Sequence, residues 1–186
     1  MRVLGIDPGL TRCGYGVVDA LPGRRLALVG SGVASTDAAA PLDRRLLEMS
    51  NQIEAWLEKY QPQAVAVERV FAQQNVLTVM TTAQVAGLAL VAAARRDIEV
   101  ALHTPTEVKA AVTGTGAAAK GQIGQMVARL LNLPGPPKPA DVADALALAI
   151  CHAWRPSTLA PTGRAATPAQ KAWLEAERAT RQRVKQ

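Results

Sequence analysis

The chain has 186 residues, enough for one ordinary domain that buries about two thirds of the surface of its unfolded form. Its 21 Lys and Arg residues against 15 Asp and Glu residues give a net charge of +6, and its two cysteines belong to no C-x-x-C motif. These features argue against a disulfide framework and against a zinc site, and they favour a reducing compartment, which we expect to be the cytoplasm.

The first predicted element is a buried strand that ends on an acid. An apolar run at residues 3–6 leads to Asp7, and Pro8-Gly9 indicates a sharp turn before a second, antiparallel strand at residues 15–18. Asp7 therefore lies at the end of a strand. The local pattern leaves two interpretations open, an Asp that hydrogen-bonds its own turn and a functional carboxylate.

A third strand, a helix and a fourth strand follow. Residues 24–34 complete an antiparallel meander, and residues 41–60 predict a helix with one apolar face. The residues assigned to that face are Leu42, Leu46, Leu47, Ile53, Trp56 and Leu57. Residues 63–68 predict a strand that is apolar throughout, as buried parallel strands are, and this strand also ends on an acid, Glu68.

The next predicted helix, at residues 76–95, lies in a segment with no charged residue between Arg69 and Arg95. Gln, Asn, Thr and Ala make up much of that segment, so it lacks the roughly 20 strongly apolar residues of a membrane span. We therefore expect no membrane association. Two interpretations of the helix remain open, a face of a homodimer and a fully buried core helix.

A fifth strand is predicted at residues 98–103, and the segment after it carries a helix-start signature. Thr104 and Glu107 have the spacing of a capping box, and Pro105 stands at the first helical position. The predicted helix carries Lys109 and ends at a glycine-rich stretch.

Two further helices complete the predicted domain. The first, at residues 117–131, carries Lys120 near its start, and the second, at residues 139–154, begins with Asp141 and Asp144. Residues three apart share a helix face, and the apolar run that follows these two acids has to be buried. The pair alone leaves two interpretations open, acids that complement the helix dipole and acids of a functional site.

We predict a domain at residues 1–155 and a basic, flexible tail at residues 156–186. Residues 155–186 carry seven Lys and Arg and two Asp and Glu, which leaves 14 and 13 for the rest of the chain. Such a tail favours attraction to a polyanion, although a solvated appendage without a partner has the same composition.

The order of the elements predicts an α/β fold, a mixed five-stranded sheet with helices on both faces. Ligands of such sheets collect outside the carboxyl ends of the parallel strands, where Asp7 and Glu68 are expected. The acids of the last helix can converge on the same place. Four carboxylates repel one another, and a hard divalent cation removes that conflict.

Oxygen ligands without His or Cys suit Mg²⁺ or Mn²⁺ rather than zinc, and His103 and His152 fit no ligand spacing. We expect both histidines to be structural. Two such cations about 4 Å apart form a clamp for in-line displacement at a phosphodiester. Lys109 and Lys120 would then neutralise the phosphate, unless they are ordinary solvated lysines.

Four motifs occur in order over residues 1–154. They are GIDPG-x-x-x-x-GYGV near the start, VERVF at 67–71, TGTG-x-x-x-K at 113–120 and PADVADALALAI at 139–150. Together they resemble the RuvC family of crossover junction endodeoxyribonucleases. The resemblance implies a ribonuclease H-like fold and a homodimer that resolves four-way DNA junctions by paired symmetric nicks, leaving ends that a ligase can seal, in recombination and repair.

The resemblance also implies the roles of individual residues. Matching positions are Asp7, Glu68, Asp141 and Asp144 for the metal ligands, Lys109 and Lys120 for the active-site lysines, and Phe71 for a base-contacting aromatic residue. The resemblance implies in the same way two Mg²⁺ or Mn²⁺ ions per subunit, and the branch-migration proteins RuvA and RuvB as partners. A buried position for Phe71 remains the alternative, and the tail matches no motif of the family.

Two other functions are consistent with parts of the pattern. Sugar-kinase and actin-like ATPases also place a glycine-rich turn after a G-I-D strand, but they close two such domains over a nucleotide, and this chain has length for one. The other is a DNA-binding scaffold of the same fold with a silent site, which metal-dependent cleavage would exclude.

Overall fold

The computed structural model describes residues 1–70 and 76–154. Its strands are β1 (Arg2–Asp7), β2 (Arg12–Leu21), β3 (Arg25–Ser35), β4 (Ala64–Glu68) and β5 (Glu99–His103). Its helices are α1 (Leu42–Tyr60), α2 (Val76–Ala94), α3 (Pro105–Thr113), α4 (Lys120–Leu130) and α5 (Ala140–Trp154), with a 3₁₀ turn at Pro22–Arg24. Phe71 and the basic tail lie outside the described residues.

The five strands form one mixed sheet in the order β3-β2-β1-β4-β5. The β1–β2 and β2–β3 pairs are antiparallel, and the β1–β4 and β4–β5 pairs are parallel. Ile6 pairs with Val67, so the acids that follow them, Asp7 and Glu68, end adjacent strands at the same edge of the sheet. The predicted five-stranded mixed sheet is confirmed, and the register brings its two strand-end acids together.

Alternation along the strands divides the core into two apolar clusters. Leu4 and Ile6 of β1 pack with residues of α1 and α2, whereas Val3 packs with residues of α3, α4 and α5. Because successive side chains of a strand point to opposite faces, the two clusters lie on opposite sides of the sheet. Helices therefore cover both faces, as predicted.

The apolar face of α1 differs from the predicted one at two positions. Ile53 and Trp56 are buried, but Leu42 is 46% exposed and Leu47 is 53% exposed. Leu42 lies in the first turn, at the end of the helix, and Leu47 lies about 120° around the helix from Ile53. Helical spacing identified the helix correctly but assigned these two leucines to the wrong environment.

Glycines allow α5 to lie unusually close to the sheet. A Cβ at Gly5 would overlap the carbonyl oxygen of Ala145, and a Cβ at Gly14 would overlap that of Asp141. No side chain larger than hydrogen fits at these positions unless the helix moves away. The first turn of α5 is thereby held directly above the start of β2.

The helix α2 carries no charged residue. Within residues 1–70 and 76–154, no helix, α2 included, is long and apolar enough to cross a membrane. One side of α2 instead packs into the core through Val85, Ala89 and Ala93.

Candidate active site

Two of the predicted site residues are the strand-end acids. Burial raises the pKa of Asp7 from its ordinary value of 3.8 to about 7, and the nearby carboxylates of Asp144, Glu68 and Asp141 add to the effect, with Lys120 opposing it. Burial and the charge of Asp144 also raise the pKa of Glu68. Both strand-end carboxylates are therefore costly to ionise in this arrangement.

The two acids of α5 lie in a different electrostatic environment, because each forms an ion pair with a base. Arg12 pairs with Asp141, and the Nζ of Lys120 lies 2.8 Å from Oδ2 of Asp144. The hydrogen bond to Asp144 is the largest cause of a raised pKa at Lys120, which keeps this lysine positively charged. Among the described residues, no base forms an ion pair with Asp7 or Glu68.

A cavity of about 200 Å³ opens beside these acids. Its polar lining is formed by Glu68, Asp144, Lys109 and Lys120, and its apolar lining by Pro105, Val108, Ile123, Ala147 and Leu148. Lys109 is carried by α3 and Lys120 by the first turn of α4, so two helices present their lysines to the same space as the acids. The cavity can accept an anionic group between these lysines.

The charges of the site indicate which kind of ligand would complete it. Four carboxylates against three bases, Arg12, Lys109 and Lys120, leave a formal excess of one negative charge at the edge of the sheet. In the described ranges, no three His, Cys, Asp or Glu side chains already have the arrangement of a metal cluster. The donor set nevertheless fits a hard cation, since its ligands would all be carboxylate oxygens. Burial first, and neighbouring carboxylates second, raise the pKa of Asp7 and Glu68, so a bound cation would favour their ionised forms.

Comparison with known proteins identifies the family of the chain. The family model described as crossover junction endodeoxyribonuclease RuvC matches residues 3–152. The chain belongs to the RuvC family. Curated RuvC relatives agree with this assignment over most of their length: that of Paenarthrobacter aurescens is 55% identical and covers 98% of each chain. That of Streptomyces avermitilis is 64% identical over 83% of this chain and 88% of its own.

Solved RuvC structures share the fold. The structure titled T. thermophilus RuvC in complex with Holliday junction substrate is 35% identical, with a TM-score of 0.79, over 83% of this chain and 94% of that one. The predicted ribonuclease H-like fold is thereby confirmed. Membership of the RuvC family also removes the ATPase interpretation of the glycine-rich turn.

The structure brings six of the seven predicted RuvC site residues to one edge of the sheet. They are Asp7, Glu68, Asp141, Asp144, Lys109 and Lys120. Phe71 lies outside the described residues, and the individual roles of all seven stay predictions. The two histidines are buried away from solvent, and Nε2 of His103 lies 3.3 Å from Nδ1 of His152, as expected of structural residues.

Sequence reasoning missed Arg12, the base that pairs with Asp141 across 129 positions of the chain. One signal for it was present. Arg12 follows Asp7 by five residues and precedes the second strand, so the turn that positions the acid also carries a base. Its partner was not evident from sequence, because the contact depends on the placement of α5 over β2.

Proposed function

We propose that this RuvC-family chain is a metal-dependent endonuclease that resolves four-way DNA junctions by paired symmetric nicks, in recombination and repair. The observation that carries the proposal is the convergence of four carboxylates and two lysines at the carboxyl ends of β1 and β4, beside a cavity. The names of the curated relatives and the junction in the T. thermophilus structure support the substrate.

We assign the role of holding Mg²⁺ or Mn²⁺, two ions per subunit, to Asp7, Glu68, Asp141 and Asp144. When bound, such ions activate a water for attack and stabilise the leaving oxygen of the phosphodiester. The fixed backbone around the acids supports this role. Asp7 and Glu68 end paired strands, and the first turn of α5 is held against Gly14, so little reorganisation is needed to present their oxygens.

The lysines of the cavity act on the DNA rather than on the ions. Lys120 keeps its proton because of Asp144, and it can place a positive charge beside the phosphate that is cut. Lys109, which α3 contributes to the cavity lining, is assigned a contact to the same or an adjacent phosphate. Val108 and Leu148 give this space an apolar lining beside the lysines.

We infer that the chain acts as a homodimer through α2, because symmetric nicking requires two active sites. An exposed face of this helix carries no charge and includes Met80, Gln84, Gly87 and Val91. A Cβ at Gly87 would meet nothing within 4 Å, so a second helix can approach this position closely.

The oligomeric state is tested by light scattering on the intact chain and on a Val91→Asp variant. Wild type is expected to be dimeric and the variant shifted toward monomer, since a charge would be buried without a partner. Leu28→Asp, at an exposed position on β3, is the matched control and should leave the dimer intact. A monomeric wild type would contradict the inference.

The remaining assignments rest on the family. We assign residues 1–155 to the nuclease domain and residues 156–186 to a basic tail, and we retain RuvA and RuvB as predicted partners. A cytoplasmic location is supported by the DNA substrate and by the two buried cysteines, Cys13 and Cys151, neither of which belongs to a C-x-x-C motif.

The nuclease is tested with a synthetic four-way junction labelled on each strand in turn. We expect nicks at symmetric positions in two opposing strands with Mg²⁺ or Mn²⁺ and none with EDTA, and products that DNA ligase seals. A linear duplex of the same sequence is the control and should remain uncut. Junction binding without metal-dependent nicking would favour the scaffold function instead.

A further inference from the structure

Arg12 follows Asp7 by five residues, and its side chain has a specific position in the site. It opens β2, and its guanidinium donates a hydrogen bond to Oδ2 of Asp141. The side chain of Arg12 is 52% exposed and that of Asp141 is 24% exposed. The pair therefore lies at the boundary between the buried acids and the solvent from which DNA approaches.

The backbone explains why this contact forms. Arg12 and Gly14 are two residues apart on β2, so they face the same side of the sheet. Gly14 is the position at which the first turn of α5 comes so close that a Cβ would overlap the backbone of Asp141. This close approach places Asp141 of α5 next to the side chain of Arg12.

The two ion pairs of the site are not equivalent. Lys120 contacts Asp144 and also lines the cavity, so it already faces the space where a phosphate would lie. Arg12 does not line that cavity and is directed to Asp141. While Arg12 occupies this carboxylate, it competes with any cation that uses the same oxygen.

We propose that Arg12 is the resident counterion of Asp141, that a divalent cation displaces it, and that the released guanidinium then binds a backbone phosphate of the DNA. The inference rests on the proposed function, since it needs Asp141 as a ligand. Arg12 is a positioning residue before the exchange and a DNA contact after it. An arginine suits both states, because its planar fork matches carboxylates and phosphates alike.

The first test measures Mn²⁺ affinity without DNA, from the electron paramagnetic resonance signal of the free ion. Arg12→Gln is expected to bind Mn²⁺ about two- to fivefold more tightly than wild type, the scale of an exposed ion pair. Arg12→Lys keeps the charge and should stay near wild type. Unchanged or weaker binding by Arg12→Gln would overturn the proposal, since a purely supporting Arg12 would lower the affinity when lost.

Arg45 provides the matched control for lost charge. Its guanidinium hydrogen-bonds the hydroxyl of Thr11, next to Arg12, but it pairs with no carboxylate in the described residues. Arg45→Gln should leave the Mn²⁺ affinity within error of wild type. If Arg45→Gln increased the Mn²⁺ affinity as much as Arg12→Gln does, the increase would be a general effect of lost positive charge. That result would overturn the assignment of the exchange to Arg12.

The second test measures junction binding against salt concentration, in Ca²⁺ and separately in EDTA. With Ca²⁺, Arg12→Gln should reduce the slope of log K against log salt by about 1, the loss of one phosphate contact. With EDTA, wild type and variant should have the same slope, because Asp141 still holds Arg12. The exchange would be overturned if Arg12→Gln had the wild-type slope in both conditions. It would also be overturned if the variant had a reduced slope in both conditions.

Failure of this inference and failure of the proposed function are separable. If Arg12→Gln binds Mn²⁺ more tightly but the wild-type chain nicks no junction, the displacement of Arg12 by a cation is supported and the nuclease function is rejected. Metal-dependent nicking with equal Mn²⁺ affinities would keep the nuclease and reject the exchange.

Discussion

The ammonium group of Lys120 lies 2.8 Å from Asp144, and the same lysine lines the cavity beside the acids. Lys120→Met is expected to reduce single-turnover cleavage by about 10²-fold, because a fixed positive charge beside the developing negative charge is lost. Lys120→Arg should recover part of the rate. Lys59→Met, which removes a lysine lying over the ring of Tyr60, is the control and should cut normally.

Asp7 is expected to be indispensable for cleavage and dispensable for junction binding. Asp7→Asn should nearly abolish nicking and leave binding similar or stronger, because it removes a metal ligand and a negative charge but no phosphate contact. Glu68→Gln, Asp141→Asn and Asp144→Asn should behave likewise, and losses in double variants should not multiply, because the ligands act as one unit. Full activity in Asp7→Asn, measured by single-turnover cleavage, would remove Asp7 from the site.

Asp7→Asn should also stabilise the metal-free protein against unfolding at neutral and alkaline pH. The pKa of Asp7 is raised from 3.8 to about 7 in the folded state, so its contribution to stability is complete below pH 4 and is lost as pH rises toward 7. Asp7→Asn should therefore raise the free energy of unfolding by up to roughly 4 kcal/mol at pH 8, and should change it little at pH 4. Thermal melts at both pH values with EDTA measure the difference, and a melting temperature at pH 8 no higher than wild type's would contradict it.

Phe71 stays a sequence-based prediction, the only phenylalanine of the chain and three residues after Glu68. A ring that stacks on a base at the junction centre contributes about 1 to 3 kcal/mol per base. Phe71→Ala should therefore reduce cleavage far more than thermal stability, and a junction with unpaired bases near the exchange point should recover part of the rate. A sharp fall in melting temperature without such recovery would identify a core residue instead, since burying Phe is worth roughly 1.5 to 3 kcal/mol.

The basic tail is expected to increase the affinity for DNA without distinguishing a junction from a linear duplex. Removing residues 157–186 should weaken binding to linear duplex and junction alike, and it should flatten the salt dependence, because Lys and Arg of the tail release counterions from phosphates. Binding titrations over a series of salt concentrations measure both effects. An unchanged salt slope would show that the tail makes no DNA contact.

Helix boundaries that are fixed by neighbouring residues could be predicted from the sequence. Thr104 and Glu107 form the capping box that their spacing indicated, with α3 beginning at Pro105 and ending against Gly114 in the left-handed region. The helix predicted at residues 117–131 instead begins at Lys120. Three alanines there favour a helix by intrinsic propensity, but the side chain of Gln122 accepts a hydrogen bond from the Ala119 amide and fixes the start later.

Relationships across the chain were harder to predict. Strand-end position identified Asp7 and Glu68, since parallel strands end at one edge whatever their sequence. The contact of Arg12 with Asp141 depends on how closely α5 approaches β2, a distance that sequence spacing does not encode. Exposure of Leu47 likewise depends on how much of α1 its neighbours cover, and helical periodicity does not report it.

The glycines beneath α5 also determine how the site responds to thermal fluctuation. Gly5 and Gly14 let the backbone of α5 lie against the backbone of the sheet at Ala145 and Asp141, and packing this close resists displacement of the helix. The two pairs of acids therefore belong to one cooperative unit and separate only when that unit opens as a whole. The placement of the charged side chains in this site therefore depends on two positions that have no side chain.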